Sequence, residues 1–134
     1  MSGLSFGSCL CGSVKYQLEG EFESFYLCHC RYCQKDTGSA HAANLFTTKS
    51  KFSWLRGKDL VKTYQLTNSR HVKSFCQNCG SAVPTVQKED QLLVVPAGSL
   101  DGPVDIKPNG HLFISSKANW NNNLELLKAF DRLP

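Results

Sequence analysis

Cys9-Leu10-Cys11-Gly12 and Cys76-Gln77-Asn78-Cys79-Gly80 are two cysteine pairs, each closed by a glycine and lying more than sixty positions apart. A turn of this kind aims backbone N–H groups at sulfur, and glycine adopts the positive φ it needs without steric cost. Two such knuckles supply the four thiolates of a tetrahedral zinc site. We therefore expect Cys9, Cys11, Cys76 and Cys79 to hold a structural zinc that fastens the start of the chain to its middle. Between them lies Cys28-His29-Cys30-Arg31-Tyr32-Cys33, with three sulfurs in six residues and no closing glycine. It reads as a local tripod, with Cys28, Cys30 and Cys33 on one face of a second zinc and the fourth corner left for water, a substrate sulfur or one more side chain. His29 is the internal candidate for that corner, although a residue between two ligands of a Cys-x-Cys loop usually points away from the metal.

The composition supports this reading. Seven cysteines are an odd number in a 134-residue chain, so they cannot all pair. Bridges between residues two or three apart also strain disulfide geometry. The opening Met1-Ser2-Gly3-Leu4-Ser5-Phe6-Gly7-Ser8 has neither a basic start nor an apolar run, and the expectation is a reducing, cytoplasmic setting. No stretch reaches the ~20 consecutive apolar residues of a membrane helix. The formal charge is +4, but its basic residues are scattered singly, which is not a nucleic-acid footprint. Seven thiolates on two divalent ions would remove three of those charges.

Outward from the cysteines, short alternating segments read as strands: 14–18, 24–28, 43–46, 60–66, 72–75, 82–86 and 92–95. Turn signals separate them at 18–20, 56–59, 87–90 and 101–103. Nothing marks a domain boundary, so residues 1–134 are expected to form one mainly β domain. Helix is expected only as a turn starting in the central cysteine loop and over 124–130, capped by Asn121 or Asn122. Sheets this short gain from metal ligation, so chelation is expected to unfold the chain or expose its core.

The cysteine order and the surrounding segments resemble the glutathione-dependent formaldehyde-activating enzyme family, whose domain is shared with centromere protein V. The matching features are Gly38-Ser39, Phe75-Cys76-Gln77-Asn78-Cys79-Gly80-Ser81 and His111-Leu112-Phe113-Ile114-Ser115-Ser116-Lys117-Ala118-Asn119-Trp120. The resemblance spans roughly residues 5 to 134. It implies a tent-like fold of zinc-stapled β-sheets and two Zn²⁺ per chain, a structural one on Cys9, Cys11, Cys76 and Cys79 and a catalytic one on Cys28, Cys30 and Cys33. It further implies a carbon–sulfur lyase that reversibly condenses glutathione with formaldehyde to S-hydroxymethylglutathione.

On this reading the partner is a small-molecule thiol or thiol adduct, with glutathione as a possible co-substrate. A zinc that already carries three thiolates suits activation of a nucleophilic sulfur better than polarisation of a carbonyl. His29, Ser39 and His41 are near enough in sequence to serve the developing oxygen, and His111 reads either as a proton shuttle or as an ordinary surface or core histidine. Arg31 and Lys35 read first as counter-charges to the thiolates and second as a clamp for a substrate carboxylate. Tyr32 and Trp120 read first as core aromatics and second as the lining of a pocket. The alternative is a non-catalytic binding module whose two zinc sites are both closed.

Overall fold

The computed structural model describes residues 3–87 and 91–134. Its strands are β1 (Leu4–Ser8), β2 (Lys15–Glu19), β3 (Ser24–Cys28), β4 (Ala42–Thr47), β5 (Lys51–Arg56), β6 (Val61–Gln65), β7 (Val72–Cys76), β8 (Ala82–Val83), β9 (Thr85–Gln87), β10 (Leu92–Pro96) and β11 (Gly110–Leu112), with one α-helix, α1 (Arg31–Thr37). They form three sheets in the orders β1-β2-β5, β11-β3-β4-β10-β9 and β6-β7-β8. Neighbouring strands run antiparallel except β11, which pairs parallel with β3. The architecture is mainly β, as expected.

Alternation in β2 decides how the first sheet faces. Tyr16 and Leu18 are fully buried, and they join Phe25, Leu45, Leu93 and Val95 in a core between the first two sheets. The Tyr16 hydroxyl is satisfied by Ser99 Oγ at 2.6 Å. A second, smaller core contains Cys9, Val14, Cys76 and Val83. Two of its four buried members are knuckle cysteines, so the third sheet is held to the first largely around sulfur. From the other side, Asp36 of α1 grips β7: its carboxylate takes His71 Nε2 at 2.7 Å and Lys73 Nζ at 2.9 Å.

Several expectations need correction. Residues 124–130 are not a helix; only Leu124–Leu126 make a single 3₁₀ turn, preceded by Asn123 in the left-handed region with no side-chain cap. Leu126 and Leu127 are 79% and 66% exposed, so an apolar helix here would have no packing partner to sustain it. The strand expected over 82–86 is two strands interrupted at Pro84, which has no N–H to give to a ladder. β1, β5 and β11 are not among the strands read from the sequence; β11 ends at Leu112, with Ile114–Ser116 in a 3₁₀ turn. Tyr32 and Trp120 are 51% and 57% exposed and belong to no core. The turn expected at 87–90 rests on 88–90, outside the described residues.

Candidate metal centres

All seven cysteines are free thiols. They gather as anticipated: the sulfurs of Cys9, Cys11, Cys76 and Cys79 lie within 4.8 Å of one another, and so do those of Cys28, Cys30 and Cys33. Among the described residues no other group of histidine, cysteine and acidic donors converges so closely.

In the quartet, Cys9 and Cys11 sulfurs are 3.6 Å apart. That is far beyond a disulfide, and close to the roughly 3.8 Å edge of a tetrahedron with ~2.3 Å metal–sulfur bonds. The two knuckles are built alike. Gly12 and Gly80 both take φ +80°, and the N–H groups of Cys9 and Cys76 reach across to the carbonyls of Val14 and Ser81, each at 3.0 Å. Each sulfur environment also supplies donors. The Val14 N–H reaches Cys9 Sγ at 3.2 Å, Asn78 Nδ2 reaches Cys11 Sγ at 3.2 Å, and Ser81 Oγ sits 3.3 Å from Cys79 Sγ. Hydrogen bonds from Ser81 bring the Cys79 thiol down to about 5, and those from Ser13 bring Cys11 to about 7. Burial instead pushes Cys76 up. An all-sulfur set of this size and spacing fits a zinc ion, a soft-tolerant cation that prefers a tetrahedral shell.

The triad is assembled by a strand end and a helix start. Cys28 closes β3, Cys30 is the N-cap of α1 with its sulfur accepting the Cys33 N–H at 3.3 Å, and Cys33 lies one turn inside the helix. Burial raises the Cys28 and Cys33 thiols. Burial also acts to raise Cys30, but hydrogen bonds led by the Cys33 N–H outweigh it and the thiol is lowered.

No fourth protein donor joins this cluster among the described residues. His29, the internal candidate, is fully buried with both ring nitrogens engaged elsewhere. Its Nδ1 accepts from Asn121 Nδ2 at 3.4 Å, which leaves Nε2 to donate to His111 Nδ1 at 2.9 Å. The tautomer is fixed by a donor-only partner. Burial, followed by repulsion from His41, His111 and Lys117, lowers the His29 pKa, so it is neutral at pH 7.

The three histidines meet through sheet register. In the order β11-β3-β4, Leu112 pairs with Cys28 and Cys28 with Ala42, so His111, His29 and His41 fall on adjacent chains at one sheet end. The His29 ring centroid lies 4.9 Å from that of His111 and 5.1 Å from that of His41. His41 Nδ1 is buried without a hydrogen-bond partner among the described residues. Sequence proximity suggested His29 and His41; the tie to His111 and Asn121 depends on a parallel strand eighty residues away, which no local pattern signals.

A cavity of about 1020 Å³ runs along the third sheet and touches none of the cysteines. One of about 230 Å³ reaches Cys33 and extends to His71 and Lys73. Another, of about 300 Å³, is walled by α1 and Trp120. No helix among the described residues is long and apolar enough to cross a membrane.

Residues 5–116 match the model of the family described as glutathione-dependent formaldehyde-activating enzyme. Among solved structures, the fold is similar to the crystal structure of a Rhodobacter sphaeroides protein determined as a structural genomics target, with a TM-score of 0.58 and 23% identity over 79% of this chain and 98% of that one.

Proposed function

The chain belongs to the glutathione-dependent formaldehyde-activating enzyme family, and from that premise we propose that it is a carbon–sulfur lyase joining a thiol, glutathione or a relative, to formaldehyde or another small aldehyde. We assign one zinc to Cys9, Cys11, Cys76 and Cys79 as a structural staple and a second to Cys28, Cys30 and Cys33 as the catalytic ion. The observation that carries this reading is the unequal donor count: four converging sulfurs in one cluster, three in the other, with His29 turned away from the three.

Zinc bound by the triad supplies one thing, a lowered pKa for a thiol that otherwise titrates near ~8.5, so that its sulfur is ionised at neutral pH. The protein's own groups do the rest. Cys28, Cys30 and Cys33 hold the ion and crowd it with negative charge, which keeps an incoming sulfur electron-rich. That sulfur forms a bond to the aldehyde carbon, the carbonyl π pair moves onto oxygen, and the oxygen takes up one proton. The proton lost by the thiol balances the one gained.

His111 is the group we place as hydrogen-bond donor to the developing oxygen, whose proton comes from solvent. It is exposed, and its Nδ1 accepts from neutral His29, so Nε2–H is the ring's remaining donor. His29 orients the ring, and Asn121 fixes the tautomer of His29. His41 presents its unpartnered Nδ1 beside them.

The test is exchange spectroscopy with ¹³C-labelled formaldehyde and glutathione on metal-loaded protein. Accelerated interconversion of free and thiol-bound formaldehyde, lost in Cys30→Ser and on chelation, is the expected result. Full loading of both sites with no acceleration for glutathione or other small thiols would sink the proposal and leave the closed binding module.

A further inference from the structure

We infer that the cavity between α1 and Trp120 is a subsite for a carboxylate carried by the thiol, so that the protein selects acidic thiols over neutral ones. This inference rests on the thiol reading above and adds its specificity. The cavity, about 300 Å³, is lined by Arg31, Gln34, Lys35, Gly38, Ser39 and Trp120. Two cations, two neutral hydrogen-bonding side chains and an indole make up its wall; no acidic residue contributes.

Arg31 and Lys35 are four apart on α1 and therefore share one face, where like charges weaken a helix. No ion pair relieves either of them among the described residues. Acidic residues are absent from the helix's first turn, and the helix's one carboxylate, Asp36, is committed to His71 and Lys73 on another face. Trp120 leaves more than half its surface in solvent, an unusual place for so large an apolar group unless something stacks on it.

The sequence alone favoured a counter-charge role for these two cations, and their exposure now argues against it. Both stand in water, where screening leaves an isolated surface charge little influence on thiolates. A counter-charge also needs no cavity. A carboxylate entering this one meets the planar fork of Arg31, which suits two parallel N–H···O bonds, and the ammonium of Lys35.

The position is apt as well. Arg31 immediately follows the ligand Cys30, and helical side chains lean toward the N-terminal end, here the end where Cys30 and Cys33 gather. The volume sits at the lower limit for small-molecule pockets, enough for one amino-acid-sized acidic arm and not for a whole tripeptide.

The matched pair N-acetylcysteine and N-acetylcysteine amide tests this, because the two differ in the carboxylate. Each is titrated into cobalt-substituted protein while the sulfur-to-cobalt charge-transfer band is followed, a readout of binding that needs no turnover. Comparing the acid-to-amide affinity ratio between proteins cancels the intrinsic difference between the two thiols. Arg31→Gln/Lys35→Gln should lower that ratio about tenfold, with each single change lowering it partway. An unchanged ratio, or equal weakening of acid and amide, overturns the subsite while leaving thiol binding intact. If neither thiol perturbs the cobalt spectrum of the wild-type protein, the thiol reading itself fails.

Discussion

Removing one sulfur from each knuckle should cost far more stability than removing two from the triad. Cys11 is exposed and Cys79 half-buried, so Cys11→Ser/Cys79→Ser breaks the quartet while leaving the buried Cys9 and Cys76 in their small core. A metal held by both knuckles acts as a cross-link between segments more than sixty residues apart. By the chain-entropy relation for such a loop, that is worth about 4 kcal/mol, whereas the loop of about six residues spanned by the triad is worth about 2 kcal/mol.

For a chain of this length, 1 kcal/mol moves the melting midpoint by roughly 4 °C. The quartet variant should therefore melt about 15 °C below wild type, and Cys28→Ser/Cys30→Ser about 8 °C below. Differential scanning calorimetry on protein whose metal content has been measured gives both values. Equal losses, or a quartet variant within about 3 °C of wild type after losing its metal, would refute the idea that the two clusters do different work.

Three further outcomes follow from particular residues. Gly12→Ala and Gly80→Ala meet no atom within 4 Å of the added carbon, so the cost is purely that of holding φ near +80°; about 1–2 kcal/mol each by denaturant titration is expected. On acidification the triad should release its metal before the quartet does. Two of the three triad thiols, Cys28 and Cys33, are raised and must give up protons to bind; in the quartet Cys76 is raised as well, but Cys79 at about 5 is already ionised at neutral pH and Cys11 at about 7 is half so. Triad affinity should fall at least a hundredfold per pH unit near neutrality, one factor of ten for each raised thiol, read with a competing chelator. Tyr16, raised to about 12 mainly by burial, keeps a neutral ring in the fold. Its contribution to stability is present below pH 10 and is lost between 10 and 12, and tyrosinate absorbance should show a late step that disappears in Tyr16→Phe.

The cysteine chemistry was legible because it is local. Spacing within each knuckle and the glycine after it determine a turn, and β3 through Cys28 into α1 is a continuous run whose elements follow from alternation and a helix N-cap. Where the reading failed, the deciding partner was distant. Leu124–Phe130 has the composition of a helix but nothing to pack on. β11 is three residues long and exists because β3 lies beside it, so the meeting of His111 with His29 could not be read from either segment. β5 did carry a signal: Phe52 and Trp54 alternate with Lys51 and Ser53, though Leu55 breaks the pattern, and pack on Tyr16 with ring centroids 5.6 and 6.2 Å away. The role of Arg31 and Lys35 turned on a cavity closed by Trp120, eighty-five residues downstream of Lys35.

An anomalous difference map at the zinc edge, from crystals of fully reconstituted protein, addresses the uneven division of sulfur most directly. Two peaks are predicted: one enclosed by Cys9, Cys11, Cys76 and Cys79, the other touching Cys28, Cys30 and Cys33 with a non-protein ligand at its fourth position. A single peak, or a second ion closed by a protein side chain, would contradict the account.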